Sequence, residues 1–156
     1  METIRCCQWD DLDKLLQLYR TLRPQDPVLS GQNARDCWQD LLNHHHTKII
    51  VADIGGQLAS SCQLGVIPTL TNGGKPFGVI EHVITAEAFR RQGLSRKVLE
   101  HALSLAWEMG CYKVMLLSGE TRHAAHQLYE KIGFQSGIER GFVIKPGKSL
   151  ADPDQH

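Results

Sequence analysis

Residues 87–110 read EAFRRQGLSRKVLEHALSLAWEMG. A short basic turn, Arg90-Arg91-Gln92-Gly93-Leu94-Ser95, runs directly into a patterned segment. Val98, Leu99, Ala102, Leu103 and Ala106 recur at helical spacing and predict a helix over 94–109 with one apolar face. A helix N-terminus leaves backbone N–H groups unpaired, and its dipole favours negative charge there. Glycine lets an anion approach the backbone, and arginines add charge-assisted hydrogen bonds. The turn is therefore a candidate site for a phosphate or pyrophosphate. Taken alone, the same residues also describe a solvated basic turn, so the neighbouring segments decide between the two.

Upstream, FGVIEHVIT at 77–85 has the β-branched content of a strand, and downstream YKVMLL at 112–117 reads as a buried strand because the run is almost wholly apolar. Strand, turn, helix and strand make a βαβ crossover. Further upstream, TKIIVADI at 47–54, Gly55-Gly56 and QLASSCQLGVI form a hairpin. Near the start, 3–8 (TIRCCQ) can form a strand, and Asp10 is a plausible N-cap for a helix carrying Leu12, Leu15, Leu16 and Tyr19. A second helix spans about Asn33 to Leu42, with Cys37, Trp38, Leu41 and Leu42 as its apolar stripe. Past the crossover come a helix over 122–132 and a last short strand, GFVIKP. The expected class is α/β (α+β): a mixed, mostly antiparallel sheet flanked by helices on both faces, in the order β-α-α-β-β-β-α-β-α-β. One domain over 1–148 is expected, with a polar tail at 149–156.

The 156 residues suit one domain, and 42% apolar content suffices for its core. Lys+Arg and Asp+Glu are 17 each, which argues against nucleic-acid binding by bulk electrostatics. The first residues lack the apolar stretch of a signal peptide, and no run approaches a membrane span, so a cytoplasmic protein without membrane contact is expected. The five cysteines are an odd number without CxxC spacing and read as reduced and mostly buried. His44-His45-His46 reads as a solvated loop. Trp9, Trp38 and Trp107 read as packing residues.

The turn Arg90-Arg91-Gln92-Gly93-Leu94-Ser95 resembles the R/Q-x-x-G-x-G/A motif of the GNAT superfamily, the acetyl-CoA-dependent N-acetyltransferases. RHAAHQLYEKIGF at 122–134 matches a second GNAT pattern through Ala125, Tyr129, Gly133 and Phe134. Ser95 departs from the family, which usually has Gly or Ala there. The resemblance is strongest over 77–134 and is to the small-amine type. It implies that the amides from about Gln92 to Arg96 hold the pyrophosphate of acetyl-CoA, with Arg90, Arg91, Gln92, Gly93, Leu94, Ser95 and Arg96 as the cofactor turn. It implies that the pantetheine arm adds to the edge of the strand ending Val83-Ile84-Thr85, with the Val83 or Ile84 N–H polarising the thioester carbonyl. The sheet is expected to splay after that strand.

Tyr129 matches the family tyrosine that donates a proton to the departing thiolate or stabilises it; the alternative is an amphipathic core tyrosine beside Leu128 and Phe134. Glu81, mid-strand among apolar neighbours, is expensive to bury unless paired or used, and matches a glutamate that serves some members as general base, often through water. The alternative for Glu81 is a salt-bridged or solvent-facing residue. His82 is expected on the opposite face from Glu81 and is the weaker base candidate. His123 and His126 fall at i, i+3 but lack an obvious third ligand, so no metal is expected; they are read as near the cofactor or the acceptor mouth, with His126 counted among the cofactor residues.

In this family the acceptor pocket is built largely from segments corresponding to 20–36 and 66–77, which here hold Arg20, Arg23, Asp26 and Arg35. GCYKVMLL at 110–117 has the look of hexosamine-phosphate acetyltransferases. The implied activity is acetyl transfer from acetyl-CoA to a primary amine of a small molecule, an amino sugar phosphate, an aminophosphonate or similar. A protein or peptide N-acetyltransferase and a non-catalytic acyl-CoA-binding module are the alternatives. A homodimer is common in the family.

Overall fold

The computed structural model describes residues 1–147; the tail expected at 149–156 lies outside the described residues. The chain divides into two compact units, Met1–Ser118 and the segment from Gly119 onward.

The first unit holds one five-stranded sheet: β1 (Glu2–Cys6), β2 (Thr47–Ile54), β3 (Gln57–Ile67), β4 (Phe77–Thr85) and β5 (Val114–Leu116), in that spatial order. β1 to β4 form an antiparallel meander, and β5 joins β4 in parallel after a helical crossover. The β2–β3 hairpin turns at Gly55 and Gly56, whose φ values of 57° and 94° suit glycine and the twist of a two-residue turn. Ile49, Ile50, Val51 and Ala52 are all buried, so β2 is covered on both faces. On one face, α1 (Leu12–Leu22) and α2 (Gly31–Leu42) pack Leu15 and Trp38 against Ile49, Val51 and Leu58. On the other, α3 (Leu94–Glu108) buries Val98, Leu99, Ala102 and Ala106, and Cys62 of β3 contacts the Val98 carbonyl.

Several local expectations change. Asp10 caps nothing: the chain enters α1 through a 3-10 turn, Trp9–Asp11, and the Asp11 carboxylate accepts the Gln8 N–H at 2.7 Å. The second helix starts at Gly31, before Asn33, and Cys37 is exposed rather than part of its buried stripe. β5 is a three-residue edge strand with Met115 41% exposed, not a strand buried on both faces. Its apolar run was a poor guide because length and neighbours, not hydrophobicity alone, make a central strand. The GFVIKP segment is not a strand: no partner pairs it among the described residues, and Phe142, Val143 and Ile144 are exposed. Extended sequence becomes a strand only where a neighbour accepts its backbone bonds.

Arg5 of β1 joins three elements, donating to Asp11 at 2.7 and 3.0 Å and to Asp53 of β2 at 3.0 Å. The Arg5 guanidinium holds the Asp11 carboxyl below the usual carboxylate range. Arg5→Ala strands a carboxylate that is only 6% exposed, and stability is expected to fall by about 2–3 kcal/mol in denaturant unfolding at neutral pH. Because the folded-state pKa is depressed, this stabilisation is present above the unfolded carboxylate value. The gap between wild type and variant is therefore expected to close as the pH falls below about 4.

Candidate active site

β5 pairs with β4 only at Gly78, Val79 and Ile80. Pairing stops at Ile80, opposite the last residue of β5, and no strand pairs that edge of Glu81–Thr85 among the described residues. An unpaired edge exposes amide and carbonyl groups in strand register, a template for an extended ligand.

On its other edge, β4 pairs Glu81 with Gln63 and Ile84 with Ser61, so three steps along β4 match two along β3. His82 and Val83 form a β-bulge, and His82 takes a φ of 54°. A bulge inserts one residue and breaks the alternation of faces. His82 is therefore not on the face opposite Glu81: its ring lies 6.0 Å from that of Tyr19 on α1, and Glu81 lies close enough to Arg23, the C-cap of α1, to act on its charge. Arg23 is raised first by its 2.6 Å ion pair with Asp26 and secondarily by Glu81. Glu81 is exposed rather than buried. Below them, burial pushes the Tyr19 phenol up, so it stays protonated at neutral pH. Its hydroxyl and that of Ser61 are close, yet neither makes a hydrogen bond of normal geometry.

The turn after β4 has the conformation an anion cradle needs. Arg91 has a φ of 64° and Gly93 of 76°, and no side chain caps the N-terminus of α3. The first-turn N–H groups at Leu94, Ser95 and Arg96 therefore face outward. Leu94 anchors the turn with its side chain in the core, while Arg90, Arg91, Gln92 and Gly93 are exposed. Two arginines are partly committed: Arg90 Nε donates to the Thr85 carbonyl at 3.4 Å, and Arg96 pairs with Glu100 at 2.7 Å. Ser95 is hydrogen-bonded to Thr85 at 2.6 Å, and Thr85 to the buried Ser60 at 2.8 Å. The sequence showed Ser95 as a departure but gave no sign of Ser60, which lies on another strand.

In the second unit, α4 (His123–Ile132) carries Tyr129 and ends at Gly133, whose φ is 122°. The Phe134 N–H donates to the Tyr129 carbonyl at 3.0 Å and the Gly133 N–H to the Glu130 carbonyl at 3.1 Å. These are the two bonds of a Schellman stop, and the Tyr129 and Phe134 rings meet at 6.1 Å as its apolar clasp. The Y-x-x-x-G-F pattern is thus a device that ends the helix and holds the tyrosine ring. Tyr129 is buried. His126 donates from Nε2 to the Gly119 carbonyl at 2.9 Å, closing the turn that starts α4. Its ring lies 6.0 Å from that of His123.

All five cysteines are free, two of them buried. Burial pushes the Cys7 and Cys62 thiols up to about 12, so neither offers a thiolate nucleophile at neutral pH. Among the described residues no helix is long and apolar enough to cross a membrane.

The model of the Acetyltransferase (GNAT) family matches residues 11–134. A glucosamine 6-phosphate N-acetyltransferase of Trypanosoma brucei brucei is 32% identical over 133 residues, covering 85% of this chain and 88% of that protein. An aminoglycoside N(6')-acetyltransferase type 1 of Serratia marcescens is 24% identical over 131 residues, covering 82% and 88%. A solved structure described as an acetyltransferase of Agrobacterium tumefaciens str. C58 superimposes with a TM-score of 0.87 at 38% identity, covering 92% of this chain and 99% of that one.

Proposed function

Because the chain belongs to the GNAT family and is an N-acetyltransferase, we propose that it moves the acetyl group of acetyl-CoA to the primary amine of a small phosphorylated amino sugar or a similar amine. The observation that carries this reading is the open β4 edge at Glu81–Thr85, followed within a few residues by the uncapped N-terminus of α3. An extended pantetheine arm fits the first as an added strand, and a pyrophosphate fits the second.

The neutral amine attacks the thioester carbon, and the carbonyl oxygen gains negative charge that the Val83 or Ile84 N–H offsets. Glu81 takes the proton leaving the nitrogen, through water. The C–S bond breaks and the electron pair goes to sulfur; by its place in the family motif, Tyr129 is assigned the hydroxyl that stabilises or protonates that thiolate. His126 contributes only Nδ1 to the cofactor set, because its Nε2–H is committed to Gly119. For the acceptor, Glu81 attracts the amine, and Arg23, paired with Asp26, supplies a cation for the phosphate. The 32% identical glucosamine 6-phosphate enzyme supports a phosphorylated amino sugar as the acceptor. Five free thiols support a cytoplasmic setting. The exposed run Phe142, Val143 and Ile144 supports a homodimer.

Release of CoA is the direct assay, run against amino sugars and their phosphates, aminophosphonates, aminoglycosides, polyamines and peptides. Turnover is expected on glucosamine 6-phosphate or a close analogue, with the unphosphorylated sugar much slower. Turnover confined to peptides would overturn the small-amine reading. Glu81→Gln is expected to lower kcat by about 10²-fold with little change in the acetyl-CoA KM. An unchanged kcat would remove Glu81 as the base.

A further inference from the structure

We propose that Ser95, Thr85 and Ser60 form an ordered hydroxyl relay that fixes the pyrophosphate turn against the pantetheine-binding strand, making Ser95 a positioning residue for the cofactor. This rests on the acetyl-CoA reading above. The relay runs from Ser95 Oγ to Thr85 Oγ1 at 2.6 Å, from Thr85 Oγ1 to Ser60 Oγ at 2.8 Å, and from Ser60 Oγ to the Ile84 carbonyl at 2.8 Å.

Each hydroxyl has one proton, and this sets the direction. Ser60 is fully buried and donates to the Ile84 carbonyl, which can only accept. Ser60 must therefore accept from Thr85, and Thr85 from Ser95. The Ser95 proton points inward, away from the turn. Ser95 has no donor left for a phosphate oxygen; anion recognition there falls to the backbone N–H groups and the arginines.

The same order explains what the serine does. A glycine or alanine at this position has no hydroxyl and cannot reach Thr85. Here the first turn of α3 is tied by side chains to the last residue of β4, and through Ser60 to β3. The ligand for these elements spans both subsites. When two subsites are held at the right separation, binding at one raises the effective concentration at the other; when the separation is loose, that gain falls although each subsite is intact.

The test compares CoA with its pieces by calorimetry: CoA, pantetheine, and adenosine 3',5'-bisphosphate with or without inorganic pyrophosphate. For Ser95→Ala, CoA affinity is expected to fall about 5- to 10-fold while each fragment stays within about twofold of wild type. Thr85→Val should give the same pattern, and the double variant should add little, because both remove one relay. Ser95→Thr keeps the hydroxyl and is expected to retain CoA affinity, which separates the relay from a general loss of fold. Unchanged CoA affinity in Ser95→Ala overturns the proposal. So does a loss of pyrophosphate affinity equal to the loss for CoA, which would make Ser95 a direct ligand. A wild-type protein that binds none of these compounds overturns the acetyl-CoA reading itself, and the relay's role with it.

Discussion

Tyr129→Phe is expected to lower kcat by about 10²-fold or more and to leave the acetyl-CoA dissociation constant nearly unchanged. The substitution removes one oxygen and keeps the ring, so the 6.1 Å clasp with Phe134 and the stop at Gly133 survive. An unchanged melting temperature would assign the loss to chemistry rather than to structure. A free phenol is a weaker acid than a free thiol, so a tyrosine is better suited to stabilising a departing thiolate than to protonating it fully. In the proposed role it provides a hydrogen bond that strengthens as charge builds on sulfur, which lowers the barrier without tightening the ground state. Steady-state kinetics with calorimetry checks this. An unchanged kcat would remove the tyrosine from the reaction.

Gly93→Val is the second large effect, and it acts on binding. Gly93 sits at φ 76°, in the left-handed region, with open space where a Cβ would stand. The penalty is thus conformational: about 1–2 kcal/mol for an ordinary residue, and more for a β-branched one. The turn is expected to relieve it by moving, which turns the α3 amides away from the anion. CoA affinity should fall by more than about tenfold, since that much strain corresponds to roughly one decade in an equilibrium constant. The melting temperature should fall by no more than about 2–8 °C, the shift that this much strain gives in a domain of this size, so the protein stays folded for the binding assay. Wild-type affinity in this variant would mean that the turn does not hold the pyrophosphate.

Much of the scaffold was legible because its signals are local. Gly55-Gly56 marks the hairpin, the spacing of Val98, Leu99, Ala102 and Ala106 marks α3, and the Tyr129–Phe134 pattern is a helix stop. What escaped depends on pairing at a distance. The bulge at His82 and Val83 has no glycine to announce it, so strict alternation placed Glu81 and His82 on opposite faces. The apolar runs 112–117 and 141–146 look alike in sequence. One gives a short edge strand, and the other no strand among the described residues. Ser60, Thr85 and Ser95 are ordinary polar residues in three different segments, and only the register of β3 with β4 brings them together.

Hydrogen exchange of the backbone amides with and without CoA tests the central claim most directly. Binding is expected to slow exchange at Val83, Ile84 and Thr85 and across Gln92 to Arg96, with little change in β1 or α2. Protection confined to other segments, with these amides exchanging as in the free protein, would contradict the placement of the cofactor on the open β4 edge and the α3 turn.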